Sequence, residues 1–131
     1  MERPPRRDPI AELFGEVPDR LGGSSWRPSV DVWETEKAIV VQVELAGVSR
    51  ENLKISIDGS LLRIRGERLP ARDAEIQRLH QMEIATGQFE RVLRIAIPFE
   101  REDVRASLDD GYLRIVLPKR GPLRRRIPVE G

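Results

Sequence analysis

Asp103–Pro118 reads DVRASLDDGYLRIVLP, and this stretch decides the fold. Apolar side chains stand at Val104, Ala106 and Leu108, then at Leu113, Ile115 and Leu117, each set spaced by two. A period of two places each set on one face of a β-strand. Between the sets lies Asp109-Asp110-Gly111, residue types that tolerate the positive φ of a tight turn. The stretch is therefore a β-hairpin with one apolar face, and that face requires a second layer. The paired acids are turn chemistry rather than acid–base machinery.

The same period runs upstream. SVDVWE sets Val30 and Val32 against Asp31 and Trp33, and AIVVQVEL puts Ile39, Val41, Val43 and Leu45 on one face. NLKISID turns Leu53, Ile55 and Ile57 inward and Lys54, Ser56 and Asp58 outward. SLLRIRGE pairs Leu62 and Ile64 against Arg63 and Arg65, with a hairpin signal, DGS, at 58–60. QFERVLRIAI alternates less cleanly. Short strands with closely spaced turns predict an all-β, antiparallel β-sandwich rather than a parallel α/β sheet.

Three segments stand outside this pattern. Residues 1–25 form an N-terminal arm in which Asp8 is a helix N-cap and Pro9 the first helical position. Ile10, Leu13, Phe14 and Val17 follow as one helical stripe, too short to be stable without a partner surface. LPARDAEIQRLHQME (69–83) is a long polar excursion between strands, and such loops are functional or disordered. Its end, Arg78–Glu83, has the makings of a short strand away from the parent sheet. The extension 119–131 is rich in Pro, Gly and Arg, yet carries Ile127-Pro128-Val129 near its end. Two β-branched side chains spaced by two and stiffened by proline have a purpose only if something binds them.

Composition narrows the function. At 131 residues the chain is one domain, expected over 26–118, plus its extensions. The formal net charge is +1, from 23 basic against 22 acidic residues, which argues against a nucleic-acid binder. Without cysteine there is no disulfide, thiol nucleophile or Cys-based metal site. His80 is the single histidine, so neither zinc nor a catalytic triad is expected. No Gly-rich phosphate loop occurs. No apolar run spans a bilayer and no signal-peptide core is visible, so a cytoplasmic location with no membrane contact is expected. No catalytic residue, metal or cofactor is assigned.

Several motifs together resemble the small heat-shock protein family, bacterial type, with its α-crystallin domain. VELAGVSRENLKISIDGSLLRIRGER is similar to that family's central strands, with Ala46 where proline is usual. GQFERVLRIAIP resembles its G-x-F-x-R segment through Gly87, Phe89 and Arg91. ASLDDGYLRIVLPK resembles its A-x-x-x-n-G-v-L signature through Ala106, Gly111 and Leu113. Ile127-Pro128-Val129 resembles its C-terminal I-x-[IV] motif.

The resemblance implies an immunoglobulin-like sandwich of seven or eight strands and ATP-independent capture of unfolding client proteins. It implies a dimer in which Arg78, Leu79, His80, Gln81, Met82 and Glu83 form a strand exchanged onto the partner's SVDVW segment, with Val30, Val32 and Trp33. Arg91 would form an ion pair across that interface. Larger homo-oligomers would follow when Ile127, Pro128 and Val129 dock in a groove of Leu53, Ile55, Ile57, Val104, Ala106 and Leu108. The stripe Ile10, Leu13, Phe14 and Val17 would serve oligomer contacts and client binding. The rival reading is a co-chaperone or adaptor sandwich for one folded partner, which needs neither the tail motif nor the exchange loop.

Overall fold

The computed structural model describes residues 26–72, 74–121 and 127–131. It contains seven strands: β1 (Val30–Glu34), β2 (Ala38–Glu44), β3 (Leu53–Asp58), β4 (Leu61–Arg68), β5 (Gly87–Arg94), β6 (Arg105–Asp109) and β7 (Tyr112–Pro118). They form two antiparallel sheets, ordered β1-β2-β7-β6 and β3-β4-β5. Two single 3₁₀ turns, Arg50–Asn52 and Arg101–Asp103, lead into β3 and towards β6. The predicted helical stripe at residues 10–17 and the arginines at 124–126 lie outside the described residues.

The hairpin read from the sequence is the β6–β7 pair, with Leu108 opposite Leu113 and Ala106 opposite Ile115. Asp110 and Gly111, the two turn residues, both have positive φ (50° and 81°), as a twist-matched two-residue turn demands. Gly111 meets a second constraint, since a Cβ there would lie 3.1 Å from Ala46 Cα while its carbonyl accepts from the Leu45 amide.

The core lies between the sheets. Ile39, Val41 and Val43 of β2 and Leu113, Ile115 and Leu117 of β7 face Leu62 and Ile64 of β4 and Phe89 and Leu93 of β5. The alternation in β2 is incomplete: Ala38 and Val40, on the opposite face, are buried as well. β2 is a central strand, and Val40 sits in register between Trp33 of β1 and Val116 of β7, which cover it from either side. β5 departs further, with Phe89 through Leu93 all buried, including Glu90 and Arg91. A strand covered on both faces shows no period, which is why QFERVLRIAI alternates poorly.

Candidate functional site

The sandwich has two long seams where the edge strands of one sheet meet those of the other. They are treated differently. The β1/β5 seam is closed by the residues just before β1. Trp26 donates its indole N–H to the Gly87 carbonyl (2.9 Å) and packs edge-on against Phe89, ring centroids 5.2 Å apart. Arg91, only 9% exposed, donates from Nη1 to the Pro28 carbonyl (2.6 Å). The Ser29 carbonyl accepts from the Glu44 amide (3.0 Å), carrying the segment into β1.

The β3/β6 seam is open. Leu53, Ile55 and Ile57 of β3 are half-buried on the inward side, while Lys54, Ser56 and Asp58 are exposed. Across from them Leu108 and Val104 are half-buried and Ala106 is exposed. A groove of about 430 Å³ runs between the strands, lined by Arg50, Leu53, Ile55, Ala106, Ser107, Leu108 and Leu113. Four of the six residues assigned from sequence thus line one groove. Ile57 and Val104 are not in that lining; like Leu53, Ile55 and Leu108 they pack against the core. Arg50, Ser107 and Leu113 escaped sequence reasoning: Leu113 counts as core, and the other two are polar residues whose position depends on how the sheets meet.

The tail motif is free of that groove in the single chain, with Ile127 79% and Val129 94% exposed. Its root, by contrast, is pinned. The Lys119 amide donates to the Lys37 carbonyl (2.9 Å) and the Arg120 amide to the Pro98 carbonyl (3.0 Å), while Lys119 pairs with Glu34 and Arg120 with Glu100.

Arg78–Glu83 forms no strand within the chain, and each of its residues is exposed. Leu79 and Met82 share this exposure with Leu69, Ile76 and Ile84, so the loop presents five large apolar side chains to solvent. The sequence reading caught only two of them, because Leu69, Ile76 and Ile84 are isolated among polar residues with no period. β1 pairs with β2 alone among the described strands, leaving its other hydrogen-bonding edge open, with Val32 buried and Val30 and Trp33 half-buried. Arg91 is buried at the β1/β5 seam, where it donates to the Pro28 carbonyl of its own chain. His80 is exposed, and among the described residues no group of three or more His, Cys, Asp or Glu stands close enough to hold a metal.

The site thus comprises an uncovered seam, an open edge strand and an exposed apolar tail on a two-sheet antiparallel sandwich. Comparison gives the lineage. Residues 31–130 match the Hsp20/alpha crystallin family. A 16.9 kDa class I heat shock protein of Triticum aestivum is 33% identical over 126 residues, covering 86% of this chain and 83% of that one. Heat shock protein 16.0 from Schizosaccharomyces pombe superposes with a TM-score of 0.70 at 29% identity, over 86% of this chain and 80% of that one. A small heat-shock protein from Xylella fastidiosa superposes at 0.72 with 28% identity, over 82% and 100%. The chain belongs to the Hsp20/alpha crystallin family: it is a small heat-shock protein, of a class of non-enzymatic chaperones. Among the described residues no helix is long and apolar enough to cross a membrane.

Proposed function

We propose that this protein is an ATP-independent, cytoplasmic holdase that keeps partly unfolded clients soluble. Its α-crystallin domain spans 26–118, flanked by a client-binding arm and a docking tail. Two copies exchange loop strands, Arg78–Glu83 of each adding to the open edge of the other's β1, which also covers the loop's apolar side chains. Dimers then join through Ile127-Pro128-Val129 seated in the β3/β6 groove. One observation carries this reading: an open groove that presents Leu53, Ile55, Leu108 and Leu113 and, in the same chain, two exposed β-branched side chains spaced by two. In an extended segment residues i and i+2 point the same way, so both enter adjacent parts of one groove. Proline holds its own φ and biases Ile127 towards extended geometry, lowering the ordering penalty.

The energetics favour a releasable clasp. Burying Ile and Val contributes about 1.5–3 kcal/mol each. Ordering three or four tail residues costs about 1–2 kcal/mol apiece, less beside proline. One docking event is close to neutral; repeated around an assembly it becomes avidity. Conditions that weaken each contact slightly therefore shift the population towards free dimers with exposed grooves, raising client capacity.

The test is light scattering from a heat-labile client without nucleotide, at near-stoichiometric amounts of the wild type and of Ile127→Ala/Val129→Ala, each sized by multi-angle scattering. Suppression of aggregation with smaller variant assemblies supports the holdase and the clasp. Absence of suppression, with a monomer indifferent to the tail substitution, overturns both and favours a single-partner adaptor.

A further inference from the structure

Trp26, the residue that follows the N-terminal arm, and the loop 69–86 meet at one side chain. Arg68 is the last residue of β4, where the loop departs. Its guanidinium donates from Nε to the Ala85 carbonyl (2.8 Å), where the loop returns, and Nη2 reaches the same oxygen. Nη1 donates to the Ala46 carbonyl (3.1 Å), just beyond β2. The guanidinium carbon lies 3.9 Å from the centroid of the Trp26 ring. That indole is in turn bonded to Gly87, the first residue of β5, and packed on Phe89. One planar cation thus ties loop start, loop return, the β2–β3 connection and the root of the arm.

The chemistry requires arginine. A guanidinium offers donors in a fixed plane while its faces stack on an aromatic ring. An ammonium at the same place has no flat face to lay on the indole and cannot hold carbonyls on two sides in one plane. Bonds from a charged donor and a cation–π contact are each stronger than their neutral counterparts. The ring and the carbonyls share one group, so displacing the indole loosens the guanidinium, and the loop return loses its anchor.

We propose that Arg68 is a positioning residue and, with Trp26, a latch coupling arm to loop: displacement of Trp26 frees the loop return, and loss of Arg68 frees the arm's root. Binding anything that pulls on the arm then changes how the loop is presented. Coupling of this kind is reciprocal by thermodynamic necessity. Its consequence for assembly rests on the reading of the loop as the exchanged segment; the latch itself does not.

The experiment is hydrogen–deuterium exchange of the full chain, read by mass spectrometry, for wild type, Arg68→Lys, Trp26→Leu and the double variant. Each single change is expected to speed exchange both at 84–88 and at 26–30 by about three- to tenfold, the scale of one cation–π contact. Central strands β2 and β7 stay protected, and the double variant exchanges no faster than the worse single. Unchanged exchange at 84–88 in Trp26→Leu overturns the latch. So does a double variant whose effect is the product of the singles, or acceleration spread evenly through β2 and β7. Sizing the same samples separates the two claims. A latch present in a wild type that is monomeric keeps the coupling and removes strand exchange; a dimer with uncoupled exchange does the reverse.

Discussion

Gly66→Ala tests how tightly the three-stranded sheet β3-β4-β5 is packed. Gly66 stands in β4 opposite Leu53 of β3 and Phe89 of β5. A Cβ placed there would lie 2.2 Å from the Asn52 carbonyl oxygen and 2.8 Å from Phe89 Cζ. Comfortable non-bonded separations are about 3.5–4 Å, so the Asn52 carbonyl must retreat by roughly 1 Å or more. Phe89 cannot absorb the strain, because its ring is fully buried. Overpacking typically costs 1–3 kcal/mol, and a clash with backbone on one side and a locked ring on the other belongs at about 3. Replacing glycine inside a strand returns about 0.5–1 kcal/mol, leaving about 2–2.5 kcal/mol of destabilisation. In a domain of this size each kcal/mol moves Tm by about 4–8 °C, so thermal unfolding followed by circular dichroism should show a drop of about 8–20 °C. Gly121→Ala, with nothing within 4 Å of its new Cβ, is the control and should stay within about 0.5 kcal/mol of wild type. A Gly66→Ala midpoint within about 2 °C of the control would refute the reasoning, since the net loss would then be under about 0.5 kcal/mol and the clash no more than about 1–1.5 kcal/mol.

Two further substitutions probe the seams. Ala106→Asp puts a carboxylate in the open groove at an exposed position, so stability should change by no more than about 0.5 kcal/mol while the groove refuses an apolar tail. Multi-angle scattering should then report smaller assemblies at unchanged Tm, and wild-type-sized assemblies would contradict the docking site. Arg91→Met keeps most of the stem but removes the donor to the Pro28 carbonyl, which should cost about 1.5–3 kcal/mol in denaturant unfolding. A change below about 0.5 kcal/mol would mean that the bond does not hold the closed seam.

Legibility in the sequence followed exposure. β3 alternates half-buried apolar with exposed polar residues and β7 turns Leu113, Ile115 and Leu117 inward, so their period of two was visible in the residues alone. Val40 broke the pattern in β2 because its cover, Trp33 and Val116, comes from neighbouring strands that only the register identifies. Glu90 and Arg91 look like surface residues of an alternating strand, yet both are buried in β5. No local signal distinguishes a charge that a folded neighbour will cover from one left in water. The groove was half legible: Leu53, Ile55, Ala106 and Leu108 carry the strand period, whereas Arg50 and Ser107 reach it through the way the two sheets meet. Arg68 was invisible for a related reason. By period it shares a face with Leu62 and Ile64, but a charged residue at the very end of a strand gives no sign of what it touches, and its partners are 17 and 22 residues away.

The contrast between the seams bears on the proposed docking, because one seam is closed within the chain and the other is not. Residues 26–29 run straight into β1, so closing the β1/β5 seam requires no separate loop closure. They are held by a buried arginine and an indole N–H as well as by apolar contact. The proposed plug for the β3/β6 seam follows six residues, 121–126, beyond the last pinned position at Arg120, and its motif offers two apolar side chains but no charged anchor. Linker length adds only a slowly rising entropy penalty, so it does not prevent docking. It does leave the plug's own near-neutral free energy to decide occupancy, and such a contact is governed by the local concentration of tails. Adding a charged hydrogen bond to the tail would supply about 1.5–3 kcal/mol and turn the clasp into a second closed seam. In the proposed docking, the absence of charge between Ile127 and Val129 would therefore keep the groove available.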